Sequence, residues 1–333
     1  MYTENNKKKI GWAIGFVFTA MLVLATATGA LADFTRKDVE FKAEDGVVLR
    51  GWLYLPKQEK GPAPAIVMAH GFSAVKEMWL DKYAEVFASA GMAALVYDHR
   101  NFGASDGMPR QEIDPWAQIR DYRTAITYVR TLPEINRELI GIWGTSYSGG
   151  EVLVVGAIDR RVKAVVAQAP ATKLFEAMQR TVGEGFFPGL LAALDAERED
   201  RFKGKPPAMI PVVTKDPTVP AVLPQAESWE WFTKTAQLRA PSWRNEVTLR
   251  TINMNLEFVP WAFVDRISPT PLLMIVPSHD SLLPTSQTLE TYQRALEPKK
   301  LIIIQGGHFA AYIEKFEKTS SAARDWFAEH LKP

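Results

Sequence analysis

Residues 139–150 read Leu139-Ile140-Gly141-Ile142-Trp143-Gly144-Thr145-Ser146-Tyr147-Ser148-Gly149-Gly150. The apolar run Leu139 to Trp143 predicts a short strand, followed by a tight turn carrying Ser146 and a glycine-rich helix start. This is the layout of a nucleophile elbow, which holds a hydroxyl clear of the backbone. A serine is a weak nucleophile at its free pKa, so it requires a base and anion-stabilising donors beside it. Taken alone, the run also fits an ordinary strand–helix loop whose small residues permit close packing. What decides between the two is the order of everything around it.

Upstream, Val39–Ala43 and Val47–Leu55 alternate as two strands joined at Asp45-Gly46, a hairpin signal. Short apolar strands are expected at Ala65–Ala69, Ala93–Tyr97, Leu139–Trp143, Val162–Ala167, Leu272–Val276 and Leu301–Ile304. Helical spacing occurs at Met78–Ala90, Pro115–Leu132, from the elbow to Ile158, at Thr285–Leu296 and at Phe309–Leu331. Short apolar strands alternating with amphipathic helices imply a mostly parallel sheet covered on both faces, with the opening hairpin as an antiparallel edge. Ligands of such sheets bind beyond the carboxyl ends of the strands. His70, Ser146, Asp280 and His308 all fall there.

The 333 residues, 47% hydrophobic, suffice for a large core. Lys plus Arg number 39 against 38 Asp plus Glu, so no basic excess points to nucleic acid. There is no cysteine, which excludes disulfides, a thiolate nucleophile and cysteine-ligated zinc. No H-E-x-x-H motif, P-loop or metal-ligand cluster stands out, and no cofactor or metal is expected. Lys7 to Lys9 precede an apolar run from Ile10 to Leu24, and Ala30-Leu31-Ala32 follows before Asp33. This pattern predicts a secretory signal peptide over residues 1–32 and a secreted or periplasmic enzyme. The alternative is an uncleaved membrane anchor.

Between about Ala171 and Ser268 the alternation breaks. Nine prolines and eleven aromatics, among them Phe186, Trp231, Phe232, Trp243 and Phe258, occupy this interval. The expected division is a core of residues 33–170 and 269–333 with a cap or lid over 171–268. Aromatics of the cap either line an apolar substrate pocket or pack the cap on the core.

Ser146 needs a base, and of five histidines only His308 follows a terminal strand in a glycine loop, Gly306-Gly307-His308-Phe309. Asp280, just past Leu272–Val276, is the carboxylate expected to orient it. Asp98, the rival acid, precedes the nucleophile and is expected to pair with Arg100, while His330 is expected to face solvent. The backbone N–H groups of Phe72 and Tyr147 are the candidate oxyanion donors. The Tyr147 hydroxyl either adds a donor or packs.

Over residues 34–333 the chain resembles the α/β-hydrolase superfamily. The resemblance rests on His70-Gly71-Phe72, Asp98-His99-Arg100-Asn101-Phe102-Gly103, the elbow, Asp280 with Pro284, Gly307-His308-Phe309 and the order Ser…Asp…His. It implies an eight-stranded α/β-hydrolase fold with a cap. The Ser146-Tyr147 elbow is similar to that of Xaa-Pro dipeptidyl-peptidase-like and cocaine-esterase-like enzymes. Arg266-Ile267-Ser268-Pro269-Thr270-Pro271-Leu272-Leu273 and Gly306-Gly307-His308-Phe309 resemble polyketide transferase-like and dienelactone hydrolase-like proteins. The chain departs from these relatives at Ser148, in place of the second elbow glycine, and at Asn101, where many have glycine.

The resemblance implies acyl chemistry on a small-molecule acyl substrate through Ser146, Asp280 and His308 without a cofactor. Ester or thioester hydrolysis is the first expectation. A peptidase or an acyltransferase shares the same triad, and Glu184, Glu227 and Glu230 are candidate carboxylates for a peptide amine. A non-catalytic binding module is the third reading. No nucleic-acid partner is expected, and a membrane partner only if the N-terminal segment stays uncleaved.

Overall fold

The computed structural model describes residues 33–57 and 61–332. The secretory leader expected over 1–32, and the alternative anchor, lie outside the described residues. Among the described residues no helix is long and apolar enough to cross a membrane.

The chain opens with β1 (Phe34–Lys42) and β2 (Val48–Pro56), joined by the Asp45-Gly46 hairpin, then β3 (Ala63–Ala69). Next come α1 (Leu80–Ser89), β4 (Ala93–Tyr97), α2 (Pro115–Arg130), β5 (Ile135–Thr145), α3 (Tyr147–Ile158) and β6 (Val162–Gln168). An insertion follows, with α4 (Leu174–Val182), α5 (Phe187–Phe202), β7 (Met209–Ile210), α6 (Ala226–Arg239), β8 (Val247–Thr248) and α7 (Leu249–Leu256). The alternation resumes with β9 (Leu272–Pro277), α8 (Thr285–Arg294), β10 (Lys299–Ile304) and α9 (Phe316–His330).

Eight strands form one sheet in the order β1-β2-β4-β3-β5-β6-β9-β10. The pairs β1–β2 and β2–β4 are antiparallel, and every other pair is parallel. The period-two rule explains how so apolar a sheet fills both faces. In β3, Val67 joins the core under α2 and α3, while Ile66 and Met68 join the core under α1 and α9. Helix α3 is buried on nearly every side, because the sheet lies on one flank and α2 and the Pro260–Arg266 turn lie on others. Asp114 caps α2, its carboxylate accepting the N–H groups of Trp116 and Ala117 at 2.9 and 3.0 Å, ahead of Pro115.

The closing helix is shorter than its periodicity suggests. Residues 308–312 form a 3₁₀ turn and the α-helix begins only at Phe316. The cause is tertiary. The Tyr312 hydroxyl is held 2.6 Å from Thr145 Oγ1, and Phe309 stacks on Trp231 at 4.8 Å. Both residues are fixed to the site before the helix starts.

Two further expectations are corrected. Asp98 and Arg100 do not pair with each other. Asp98 takes Lys76 Nζ at 2.7 Å, and Arg100 bridges Asp45 and Asp121 at 2.6 Å each. The chain bends away after β4, so each finds its partner on a different segment. His330 is half-buried rather than solvent-facing, its ring lying across Trp326 at 4.2 Å.

Candidate active site

β5 lies in the middle of the sheet and delivers Ser146 at its carboxyl end. Ser146 has φ 56° and ψ −116°, a conformation a non-glycine residue holds at a cost of about 1–3 kcal/mol. The packing around the turn enforces it. A Cβ on Gly144 would lie 2.2 Å from Ser148 O, and one on Gly150 would lie 2.2 Å from Ala171 O. Ser148 is no defect in this elbow. Its Oγ accepts the Thr145 N–H at 3.0 Å and donates to Ala69 O at 2.7 Å, stitching β5 to β3. Asn101 stands at φ 72°, a left-handed position that asparagine tolerates.

His308 Nε2 lies 2.9 Å from Ser146 Oγ, and His308 Nδ1 lies 2.7 Å from Asp280 Oδ2. The second carboxylate oxygen of Asp280 accepts the N–H groups of Leu282 and Leu283 at 2.9 and 2.8 Å. Asp280 therefore cannot swing away from the ring, and a carboxylate at Nδ1 selects the tautomer whose Nε2 accepts the serine proton. Gly306, at φ 129°, turns the chain after β10 so that His308 reaches back over the sheet. Burial pushes the His308 pKa down, but the Asp280 charge and hydrogen bond, with the Glu227 charge added, hold it above the ordinary histidine value.

The backbone N–H of Tyr147 opens α3, and that of Phe72 lies in the loop after β3; neither donates within the described chain. Gly71 presses this loop against the serine, its missing Cβ only 3.0 Å from Ser146 Cβ. The Tyr147 hydroxyl does not face the serine; it donates to Asn255 Oδ1 on α7 at 2.7 Å. His70 and His99 lie buried behind the loop, and burial drives their pKa values down to about 3 and about 4.

The insertion supplies the walls. Two cavities flank Ser146, sharing Phe72, Leu223 and Leu282. The first holds His308, Trp231, Phe232, Phe309 and Tyr312; the second holds Tyr147, Leu174, Met178, Gln225 and Asn255. The aromatics of the insertion thus divide. Trp231 and Phe232 line the site, Phe258 packs on the Tyr147 ring at 5.6 Å, and Trp243 donates to Ser73 O at 3.1 Å. Phe186 is exposed. Of the three candidate carboxylates only Glu227 reaches the rim, bonded to the Ser281 hydroxyl beside Asp280. Glu230 pairs with Lys234 and Glu184 is exposed. Asn255 and Gln225 carry no sequence signal, because their place depends on how a proline-rich insertion folds back on the core.

A hydroxyl that can pass its proton to a carboxylate-backed imidazole, beside two free N–H donors, is equipped for acyl transfer. Fold and site define the class: a serine hydrolase of the α/β-hydrolase kind. Residues 45–310 match the X-Pro dipeptidyl-peptidase (S15) family, and the chain belongs to it. It is similar to the thiohydrolase aneE of Aspergillus aculeatus, 36% identical over 280 residues, covering 80% of this chain and 84% of that protein. It is 33% identical over 297 residues to the polyketide transferase grgF of a Penicillium species, covering 89% and 97%. The crystal structure of the α/β hydrolase GrgF from Penicillium sp. sh18 superposes with a TM-score of 0.77 at 31% identity, covering 89% and 99%.

Proposed function

We propose that this enzyme cleaves an ester or thioester through an acyl-enzyme on Ser146. Ser146 Oγ attacks the acyl carbon as His308 Nε2 takes its proton, and the N–H groups of Phe72 and Tyr147 receive the oxyanion. The intermediate collapses, the C–S or C–O bond breaks, and His308 returns the proton to the leaving thiolate or alkoxide. Water then attacks the acyl carbon as His308 takes its proton, the C–O bond to Ser146 breaks, and the imidazole returns the proton to Oγ as the acid leaves. The observation that carries this reading is the unbroken contact from Asp280 through His308 to Ser146 at 2.7 and 2.9 Å. The thiohydrolase relative favours the thioester. A fluorophosphonate probe should label the wild type and not Ser146→Ala. Turnover of p-nitrophenyl esters and acyl thioesters should fall on the order of 10⁵–10⁶-fold in that variant. Retained turnover in Ser146→Ala would sink the proposal.

A second reading, acyl transfer to an alcohol or amine, has one specific support. The cavity on the His308 side is walled by Trp231, Phe309 and Tyr312, an apolar shelter for an acceptor that competes with water. The polyketide transferase relative fits the same chemistry. Peptidase action would use Glu227 at the rim for a peptide amine, and turnover of an Xaa-Pro anilide checks it. The Lys7–Ala32 pattern supports an enzyme exported from the cytoplasm, and N-terminal sequencing of the mature protein tests that placement.

A further inference from the structure

One charged side chain of the insertion touches both loops that carry the base and its acid. Glu227, in the first turn of α6, accepts the hydroxyl of Ser281 through Oε1, and Ser281 directly follows Asp280. Its other oxygen lies against Gly307, where a Cβ would stand 2.6 Å from Oε2, and Gly307 directly precedes His308. Trp231, one turn along the same helix face, stacks on Phe309 with ring centroids 4.8 Å apart. Helix α6 therefore grips the segments 280–281 and 307–309 together, the two that must keep Asp280 and His308 2.7 Å apart.

Charge adds to the grip. Burial lowers the His308 pKa, and the Asp280 charge and hydrogen bond, followed by the Glu227 charge, more than offset it. Of the other charged groups on the packed elements, Glu230 pairs with Lys234, and Arg180 of α4 donates to Ser281 O at 2.8 Å. Glu314 and Lys315 share the outer groove with Glu227. Tyr312, beyond Phe309, stays neutral, because burial drives its pKa above the ordinary tyrosine value.

We infer that Glu227 is a positioning residue of this site: a second carboxylate, contributed by the insertion, that holds the His308 loop to the Asp280 loop and balances the positive ring formed as Ser146 gives up its proton. This rests on the acyl-enzyme reading above and adds a residue to its machinery. A neutral ring gains little from the Glu227 charge. The positive ring arises as the reaction proceeds, so the interaction favours the transition state over the resting enzyme. Glu227 is partly exposed, and water screens its charge, which sets its effect below that of buried Asp280.

The test is Glu227→Gln, because glutamine keeps the length, the packing on Gly307 and an oxygen for Ser281, and loses only the charge. The readout is the second-order rate of fluorophosphonate labelling from about pH 5 to about pH 9, with p-nitrophenyl acetate turnover beside it. In the variant the plateau should fall about 3–10-fold. The midpoint of the acid limb should move down, since a charge that favoured the imidazolium is gone. Raising NaCl from about 0.01 M to about 1 M shortens the screening length from about 30 Å to about 3 Å, so the wild-type limb should move toward that of the variant. A merely structural role predicts the wild-type midpoint in the variant at low salt. That result, or a gap indifferent to salt, overturns the inference. Labelling of the wild type separates the two levels. A wild type that labels, with a limb that ignores Glu227→Gln, loses only this inference, whereas one that does not label loses the acyl-enzyme reading as well.

Discussion

His70 Nε2 accepts the backbone N–H of His99 at 3.0 Å, tying the loop after β3 to the loop after β4. The other ring nitrogen lies 3.0 Å from Gly71 O, so the imidazole is neutral with its proton on Nδ1. Burial, with the neighbouring His99 ring adding to it, lowers the His70 pKa from 6.5 to about 3. The unfolded chain therefore binds a proton that the native chain refuses as pH falls from about 6.5 to about 3. Stability is full above that window and declines through it. Thermal midpoints measured across it should fall less steeply in His70→Gln than in wild type, and equal slopes would remove His70 from the account.

His308 carries the opposite shift. Its pKa is raised because Asp280 outweighs burial, and only the neutral ring can take the serine proton. The acid limb of kcat/KM should thus have its midpoint above the 6.5 of an ordinary histidine. In Asp280→Asn that midpoint should move down, and kcat should fall on the order of 10⁴-fold as the wrong tautomer is favoured. A limb unmoved by the substitution would show that another group sets it.

Gly71 tests how closely the oxyanion loop must approach the nucleophile. A Cβ there would meet Ser146 Cβ at 3.0 Å and Oγ at 3.4 Å, and valine would add branches to that contact. Displacing either partner by ~1 Å costs about 10²-fold in rate. Gly71→Val should lose kcat on that scale while its urea midpoint stays near wild type. Wild-type kcat would mean that the loop has slack.

Lys76 is buried with Asp98, which also accepts the Lys76 and Ala104 N–H groups at 2.8 and 2.9 Å. Lys76→Met would strand the carboxylate and should destabilise the fold by about 3–5 kcal/mol in urea. Removing both charges with Asp98→Asn in the same chain should recover part of the loss, the signature of a coupled pair.

Much of this was legible because a parallel sheet writes itself plainly. β4 was readable to the residue, since Ala93–Tyr97 is an unbroken apolar run between a glycine turn and Asp98. Ser146, Asp280 and His308 could be paired because each follows such a run, and topology brings those ends to one edge. Pairings made sideways across loops were not legible. Asp98 reaches Lys76, 22 positions upstream, and Arg100 reaches Asp45 and Asp121, neither of which local spacing suggests. Nor was the break before Phe316, where contacts with Thr145 and Trp231 override helical periodicity.

The two halves of the candidate site lie more than 130 residues apart in the chain. Ser146 is strained into place by β5 and α3, which are synthesised early. Asp280 and His308 follow β9 and β10, and α9 then seats Phe327 against Gly141 of β5, where a Cβ would stand 2.7 Å from the ring. Ser146 therefore gains its base and acid only once β9 and β10 join the sheet and α9 docks on it. Reactivity is thus a property of the closed sheet, and a chain cut before Leu272 would carry Ser146 with neither its base nor its acid.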